Sequence, residues 1–240
     1  MSDARTSELS ANLDEVRARI DAACDAAGRD RADVTLIVVT KTWPADDVRR
    51  LAGLGVRDVG ENRDQEAAPK AAATEDLDLT WHFVGQLQTN KAASVARYAD
   101  LVHSVDRSSL IVALEKGAAK AGRRLGCLIE VDMTDPDEGD GRGGARPADV
   151  SALASAIAAA EHLDLRGVMA VAPLDPSDQR DASAQAFARL AQIAADLQRE
   201  HPEATVISAG MSEDLEEAVA AGATHLRVGS AVLGRRPPLG

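Results

Sequence analysis

The feature that most constrains the fold of this 240-residue chain is a repeated alternation between short apolar runs and longer stretches rich in alanine and leucine. Most of the short runs are apolar throughout, which is typical of parallel strands covered on both faces. They predict strands at Val34–Thr40, Val56–Gly60, Trp81–Val84, Leu101–Val105, Cys127–Met133, Leu165–Val171, Thr205–Ser208 and Leu226–Val228.

The longer stretches between these runs predict helices, because their length and composition suit a period of 3.6 residues. The predicted helices cover Ala45–Ala52, Gln65–Ala73, Asn90–Ala99, Ser108–Ala121, Pro147–His162, Ser177–Glu200 and Ser212–Ala220. Before the first strand, Leu9, Leu13, Val16 and Ile20 recur at helical spacing, and Gly28 follows them. This pattern indicates an additional N-terminal helix that ends at the glycine.

Eight strands with intervening helices favour a closed (β/α)8 TIM-type barrel with an extra N-terminal helix. The alternative is an open, doubly wound sheet, which would need a glycine-rich fingerprint after the first strand. The chain instead reads Lys41-Thr42-Trp43-Pro44 at that point. Since no linker divides the sequence, we expect residues 1–240 to form a single domain, with residues 1–28 packed on the barrel as a helix.

The charge and the cysteine content limit the classes of partner. A net charge of -12 at pH 7 argues against nonspecific binding to nucleic acid or to an anionic membrane. No apolar run approaches the ~18 residues of a membrane span, and no signal-peptide pattern is present. Cys24 and Cys127 lack metal-ligand spacing, as do the histidines. We therefore expect a cytoplasmic monomer with two buried, reduced thiols and no metal.

Lys41 is the first candidate for chemistry, because a barrel places the ends of its strands on one functional face. The chain has five lysines among its 27 basic residues, so a lysine directly after a strand suggests that an amine is needed there. An amine forms a Schiff base with an aldehyde, which a guanidinium does not do. The alternative is a structural lysine that pairs with a carboxylate near the barrel mouth.

Two segments of small residues near the C-terminus predict a phosphate site. Ser208-Ala209-Gly210-Met211-Ser212 follows the seventh strand, and Arg227-Val228-Gly229-Ser230 spans the end of the eighth. Barrels frequently bind phosphate with the loops after these two strands. The glycines permit close approach of a ligand, the serines offer hydroxyl donors, and Ser212 is a candidate N-cap of the next helix. Taken singly, each serine is equally an ordinary cap or turn residue.

An amine and a phosphate cradle at one barrel mouth are what pyridoxal 5'-phosphate (PLP) requires. Arg227 would donate a hydrogen bond to a ligand ring nitrogen if it faced the pocket, and otherwise would form a surface salt bridge. Asn62, which ends the second strand, would bond a ligand hydroxyl or cap a turn. Glu61 would pair with a basic group, and His82 is expected to be a packed core imidazole.

The order of several motifs resembles the pyridoxal phosphate homeostasis protein family, also called PLP-binding proteins, over about residues 34–236. The matching stretches are Val39–Thr42, Gly60–Asn62, Trp81–Lys91, His103–Asp106, Gly167–Met169, Ser208–Asp214 and Gly222–Ser230. The resemblance implies a barrel similar to the N-terminal domain of alanine racemase, with Lys41 as the Schiff-base residue and Arg227 near the pyridine nitrogen. It implies a cofactor site made by Lys41, Asn62, Ser208, Met211, Ser212, Arg227, Gly229 and Ser230.

The resemblance also implies a function. Members of the family are thought to buffer PLP or deliver it, with apo PLP enzymes as transient partners and no established catalytic turnover. The alternatives are a PLP-dependent amino-acid racemase and a barrel that acts on a sugar phosphate without PLP. A two-base racemase needs a second proton shuttle, and the only tyrosine, Tyr98, falls in a helix predicted to lie away from the mouth. The glycine-rich segment Thr134–Arg146 is either a lid or a solvated loop.

Overall fold

The strands form the barrel that the sequence pattern predicts. The structure, a computed structural model, describes residues 3–134, 143–173 and 179–234. Within these ranges eight parallel strands pair in chain order, and the last pairs with the first, so the sheet has no edge. The strands are β1 Thr35–Val39, β2 Asp58–Glu61, β3 Thr80–Phe83, β4 Leu101–Val105, β5 Leu125–Glu130, β6 Leu163–Met169, β7 Val206–Ser208 and β8 His225–Val228. The alternative of an open sheet was wrong.

The helices surround the barrel. They are α1 Ala4–Ala27, α2 Ala45–Gly53, α3 Asp64–Ala73, α4 Ala92–Val95, α5 Ser108–Ala121, α6 Val150–Ala158, α7 Gln179–Glu200, α8 Leu215–Ala220 and α9 Ser230–Leu233. Short 3-10 segments at Arg31–Asp33, Thr89–Lys91 and Pro147–Asp149 precede β1, α4 and α6. Gly28 ends α1 in the left-handed conformation with φ 64°, as the sequence indicates.

Three predicted helices differ from the structure. The predicted helix Pro147–His162 is a 3-10 turn followed by α6, which ends at Ala158. The predicted helix Asn90–Ala99 is a 3-10 turn followed by the short helix α4, so Tyr98 lies in a turn, where its ring meets Trp81 edge-on at 6.3 Å. Helix α8 begins only at Leu215, and the prediction of Ser212 as its N-cap was wrong. Asp214 precedes this helix, and its carboxylate accepts the Met211 N–H at 2.6 Å.

The fifth strand is also shorter than predicted at its end. It stops at Glu130, and Val131 continues only as an isolated bridge to Ala145. This bridge fixes the far end of the glycine-rich segment, because Asp132 N–H donates to the Ala145 carbonyl at 2.9 Å. Residues 135–142, on which the choice between a lid and a loop depends, lie outside the described residues.

Helix α1 contacts α8 and α9, and the four apolar residues that identify it in the sequence lie in the main hydrophobic core. Leu9, Leu13, Val16 and Ile20 are each at most 1% exposed. Burial of such a side chain stabilises the fold by roughly 1.5–3 kcal/mol. Polar groups of α1 hold the C-terminal helices as well, since Asn12 Nδ2 donates to the Val232 carbonyl of α9 at 3.0 Å.

The described residues agree with the expected state of the thiols. Cys24, in α1, and Cys127, in β5, are both free and buried. In the described part of the chain, no helix combines the length and the apolar character that crossing a membrane requires. The same residues contain no group of three or more His, Cys, Asp or Glu side chains arranged to hold a metal ion.

The barrel interior leaves no room for a side chain at Gly167 in β6. This residue pairs with Val206 of β7 and has φ 144°. A Cβ atom at this position would lie 1.9 Å from the Val206 carbonyl oxygen, which is impossible without moving a strand. Nearby, Leu128, Met169 and Val206 form a small apolar cluster separate from the main core.

We expect Gly167→Ala to lower the free energy of unfolding by more than about 2 kcal/mol, because the new methyl group displaces the β7 backbone. Gly53→Ala is the matched control, since a Cβ there meets no atom within 4 Å at the end of α2. Urea denaturation of both variants measures the difference. Equal midpoints would contradict the close packing of β6 against β7.

Candidate functional site

A cavity of about 460 Å³ lies at the end of the barrel where the strands terminate. Its wall is made by Val39, Lys41, Asn62, Val84, Gly85, Val171, Met211, Ser212, Glu213, Arg227, Gly229 and Ser230. The lysine after β1 and the two C-terminal loops therefore share one mouth. All of the site residues predicted from the sequence contribute to this wall except Ser208.

Ser208 lies behind the cavity rather than on its wall. Its side chain is completely buried at the end of β7. Its Oγ accepts a hydrogen bond from Arg227 Nη1 at 2.6 Å and lies 2.9 Å from His103 Nδ1. The Ser208 hydroxyl is therefore engaged with Arg227 and His103 away from the wall, and its role as a phosphate ligand stays a prediction.

Arg227 is buried, with 5% of its surface exposed, so the alternative of a surface salt bridge was wrong. Besides Ser208, its guanidinium binds the Ala170 carbonyl through Nη2 at 2.9 Å. Burial lowers the pKa of Arg227 to about 10, which leaves it protonated at neutral pH. Two hydrogen bonds thus fix a permanent cationic donor at the end of β8.

A chain of hydrogen bonds crosses the barrel behind Arg227. His82 Nε2 lies 3.0 Å from an Asp58 carboxylate oxygen, and His82 Nδ1 lies 2.9 Å from His103 Nε2. Burial, with the neighbouring His82 and Arg227, keeps the pKa of His103 well below 6.5. Every contact is satisfied when Arg227 donates to Ser208, Ser208 to His103, His103 to His82, and His82 to Asp58.

Lys41 is exposed at the end of β1, and the chain on either side of it is anchored. Lys70 Nζ donates to the Thr40 carbonyl at 2.8 Å and pairs with Glu61 Oε1 at 2.6 Å. Thr40 Oγ1 donates to the same Glu61 oxygen at 2.7 Å. Burial raises the pKa of Glu61. Glu61 thus has the basic partner expected of it, whereas within the described segments Lys41 forms no salt bridge.

Two serine hydroxyls of the cavity wall face each other. Ser230 Oγ lies 3.3 Å from Ser212 Oγ, and Ser230 is the first residue of α9. Arg19 of α1 holds the loop after β7 in place by donating to the Ser212 carbonyl at 3.0 Å. Hydroxyl donors next to the amides of a first helical turn are suited to an anion.

Glycine is required where these two loops approach the barrel. Gly210 has φ 87°, and a Cβ atom there would lie 2.6 Å from the Ala218 Cβ. A Cβ atom on Gly229 would lie 3.2 Å from the Val39 carbonyl oxygen. A side chain at Gly210 would force the loop to shift, and one at Gly229 would crowd the end of β1.

The wall also contains residues that the sequence analysis missed. One is Val171, which is 37% exposed. Together with the predicted Met211, which is equally exposed, it presents an apolar surface to the cavity. Gly85 allows the loop after β3 to touch Asn62, because a Cβ atom there would lie 2.3 Å from the Asn62 carbonyl oxygen. No sequence signal identifies Val171, because a valine at a strand end looks like any core residue. Gly85 could have been identified, because it is a glycine that directly follows the predicted strand Trp81–Val84.

Asn62 lies between two cavities. Besides the site described above, it lines a neighbouring cavity of about 530 Å³ whose other walls are mainly charged and amide side chains. These include Arg63, Gln86 and Lys91. Asn62 is therefore a wall residue rather than only the cap of a turn.

Comparison with known proteins identifies the family. The alanine racemase N-terminal domain family matches residues 11–237. Proteins named pyridoxal phosphate homeostasis protein are 40% identical in Pseudomonas aeruginosa, over 96% of this chain and 96% of the relative, and 34% identical in Escherichia coli K12, over 95% and 97%. The chain belongs to the pyridoxal phosphate homeostasis protein family. The resemblance inferred from the motifs is confirmed.

Among solved structures, this member of the homeostasis protein family is similar to a relative that was solved with PLP bound. PipY of Synechococcus elongatus, solved with PLP bound, is 35% identical with a TM-score of 0.80, covering 94% of this chain and 100% of PipY. Alanine racemase from Corynebacterium glutamicum has a TM-score of 0.65 at 17% identity, covering 98% of this chain and 62% of the racemase. The second likeness concerns the fold alone.

Glu130 is an acidic group of this homeostasis-family barrel that the sequence analysis did not single out. It is the last residue of β5, and its Oε2 atom is buried without a hydrogen-bond partner among the described residues. Burial and the nearby Asp106 raise the pKa of Glu130 to about 7, although Arg227 opposes the shift. The carboxyl group is therefore largely protonated below neutral pH.

This raised pKa predicts a pH-dependent stability. As pH rises, Glu130 loses its proton first in the unfolded chain, where its pKa is 4.5. The folded state therefore loses stability between about pH 4.5 and pH 7, and above pH 7 this loss does not increase further. We expect the stability advantage of Glu130→Gln over wild type to grow by about 2 kcal/mol between pH 5.5 and pH 8.5. Urea denaturation at both pH values measures it, and the exposed Glu75→Gln is the control. A pH-independent difference would contradict the buried acid.

Proposed function

We propose that this chain binds PLP in the 460 Å³ cavity and buffers the cofactor or delivers it to other proteins. The observation that carries the proposal is that the Lys41 side chain and the paired Ser212 and Ser230 hydroxyls lie on the wall of one cavity. Membership of the homeostasis protein family and the PLP bound by PipY support it.

The residues of the cavity fit each part of the cofactor. Lys41 provides a primary amine for the aldehyde, and the serine pair provides donors for the phosphate. Arg227 provides a fixed donor for the ring nitrogen, and Val171 and Met211 offer apolar surface for the ring face. An amine, an anion cradle and an apolar wall together are more specific for PLP than for a sugar phosphate, which has no aromatic ring.

The roles of the individual residues follow from this fit. Lys41 Nζ would hold the aldehyde carbon covalently as a Schiff base, while Ser212 and Ser230 would donate to phosphate oxygens. Asn62 would bond the ring hydroxyl. Bound PLP supplies a carbonyl carbon reactive toward amines and a ring that accepts electrons. Because Arg227 stays protonated and only donates, it would keep the ring nitrogen unprotonated and the ring a weak electron acceptor.

The proposal includes the absence of catalytic turnover. Tyr98, the only tyrosine of the chain, is not on the cavity wall, since it packs against Trp81, and burial raises the pKa of its hydroxyl. A tyrosine is therefore not available as the second base that a racemase needs. Glu213 is the carboxylate on the wall, so turnover has to be tested directly.

The proposal extends to partners and location. Apo PLP enzymes are the proposed transient acceptors, and the chain is proposed to act as a single-domain monomer in the cytoplasm, without nucleic acid or membrane partners. The net charge of -12 supports the exclusion of polyanions, and two free, buried cysteines are consistent with a reducing compartment.

We expect PLP-loaded wild-type protein to show an absorbance band near the visible edge that borohydride abolishes. Lys41→Ala should lose this band, because no other amine lines the cavity in the described part of the chain. Lys120→Ala, an exposed lysine in the last turn of α5, is the matched control and should keep it. A band of wild-type intensity in Lys41→Ala would contradict the assignment.

We expect the double variant Ser212→Ala, Ser230→Ala to bind PLP at least about tenfold more weakly, because hydrogen bonds to a charged phosphate are each worth roughly 1.5–3 kcal/mol. The affinity for pyridoxal, which lacks the phosphate, should stay nearly unchanged. Equilibrium titration of both ligands measures the difference, with the exposed Ser151→Ala as control. An equal loss for both ligands would show that the serines do not hold the phosphate.

We expect the loaded protein to transfer PLP to an apo PLP enzyme and restore that enzyme's activity, without turning over amino acids itself. Recovery of the acceptor's activity measures transfer, and chiral chromatography of amino-acid mixtures measures racemisation. Sustained racemisation of any amino acid by the pure protein would replace the carrier proposal with the racemase alternative.

A further inference from the structure

Helix α3 holds the backbone on both sides of Lys41. Lys70 Nζ donates to the carbonyl of Thr40, the residue before Lys41, at 2.8 Å. Glu66 Oε2 accepts the N–H of Thr42, the residue after Lys41, at 2.8 Å. Glu66 and Lys70 are four residues apart in α3 and therefore lie on the same helical face, one turn apart.

The conformation held in this way is one that threonine avoids. Thr42 has φ 70°, and among the described residues it is the only one other than glycine with a positive φ. A β-branched side chain in the left-handed region is strained and persists only where surrounding contacts impose it. The contacts here are the Glu66 carboxylate and a tight turn in which Trp43 N–H donates to the Thr40 carbonyl at 3.1 Å.

The ion pair between Lys70 and Glu61, which holds the Thr40 end of this segment, is buried. Lys70 is 8% exposed and Glu61 is completely buried, with 2.6 Å between their charged atoms. A buried ion pair gives little net stability, because removal of both charges from water costs about as much as their attraction returns. The pair does, however, orient groups, since Glu61 also accepts the Thr40 hydroxyl and Lys70 binds the Thr40 carbonyl.

We propose that Glu66 and Lys70 are positioning residues that fix the backbone around Lys41 so that its amine meets the aldehyde of a ligand held by Ser212 and Ser230. This inference rests on the proposed function. In the reaction concerned, a C=N bond forms between Lys41 Nζ and the aldehyde carbon, and the aldehyde oxygen leaves as water. Its rate and extent depend on how closely the amine is held to the carbon.

The test compares two ligands that differ only at the aldehyde. PLP forms the borohydride-sensitive band, whereas pyridoxine 5'-phosphate has an alcohol in place of the aldehyde and reports on the phosphate and ring contacts alone. We expect Glu66→Ala to slow band formation with PLP by about tenfold and to leave the affinity for pyridoxine 5'-phosphate within about twofold of wild type. Glu66→Gln keeps an oxygen acceptor and should retain most of the wild-type rate.

Rescue by glycine separates positioning from a general structural role. Glycine adopts φ 70° without strain, so Thr42→Gly in the Glu66→Ala background should restore much of the rate. The exposed Glu75→Ala is the matched control for loss of an acidic side chain and should behave as wild type. If Glu66→Ala does not fold, the variant Glu61→Met, Lys70→Met replaces the ion pair with apolar side chains of similar length and should show the same selective loss with PLP.

The outcomes separate this inference from the proposed function. An unchanged rate in Glu66→Ala, equal losses for both ligands, or failure of Thr42→Gly to restore the rate would overturn the positioning role while the wild-type band upholds PLP binding. If the Glu61→Met, Lys70→Met variant has to be used, an unchanged rate of band formation with PLP in that variant also overturns the positioning role. Absence of the band in the wild-type protein would instead overturn the proposed function, and the positioning role with it.

Discussion

The pairing of β1 with β8 is the constraint on which the candidate site depends. The two strands run in parallel, with Ile37 opposite Arg227 and Val38 opposite Val228. Because their ends coincide, the loop that contains Lys41 is adjacent to the loop that contains Gly229 and Ser230. An open sheet would separate these loops by its full width, since the first and last strands would lie apart. Closure of the barrel thus brings Lys41 and Ser230, nearly two hundred positions apart in the sequence, onto the wall of one cavity.

Two buried polar networks support the wall from behind. One extends from Asp58 through two histidines to Arg227, and the other joins Glu61 and Lys70 to the backbone next to Lys41. Polar groups in a dry interior are costly without partners, so each pairing limits the alternative arrangements. Among the described residues, Glu61 Oε2 is the atom of these networks that is buried without a partner. The wall therefore combines a fixed donor, Arg227, with an anchored loop that carries Lys41.

Much of the fold could be predicted from the sequence, because short apolar runs alternate regularly with longer helical stretches along the chain. The errors lie where tertiary contacts override local preference. The chain turns after α4, and Tyr98 in that turn contacts Trp81. Helix α8 starts only after Asp214, whose carboxylate binds the Met211 backbone. Ser208 was predicted at the phosphate, yet a serine at a strand end points inward or outward according to register, which the sequence does not reveal.

The sequence by itself determined the barrel class, the amine after the first strand and the two glycine and serine loops, because these depend on residue type and on order along the chain. Only the tertiary structure decided which of those side chains reach the cavity and which stand behind it. It also revealed the hold of α3 on Thr40 and Thr42, and the strained backbone at Thr42. The physical reason is that hydrogen-bond partners and burial depend on distances between elements, and those distances exist only once the barrel has closed.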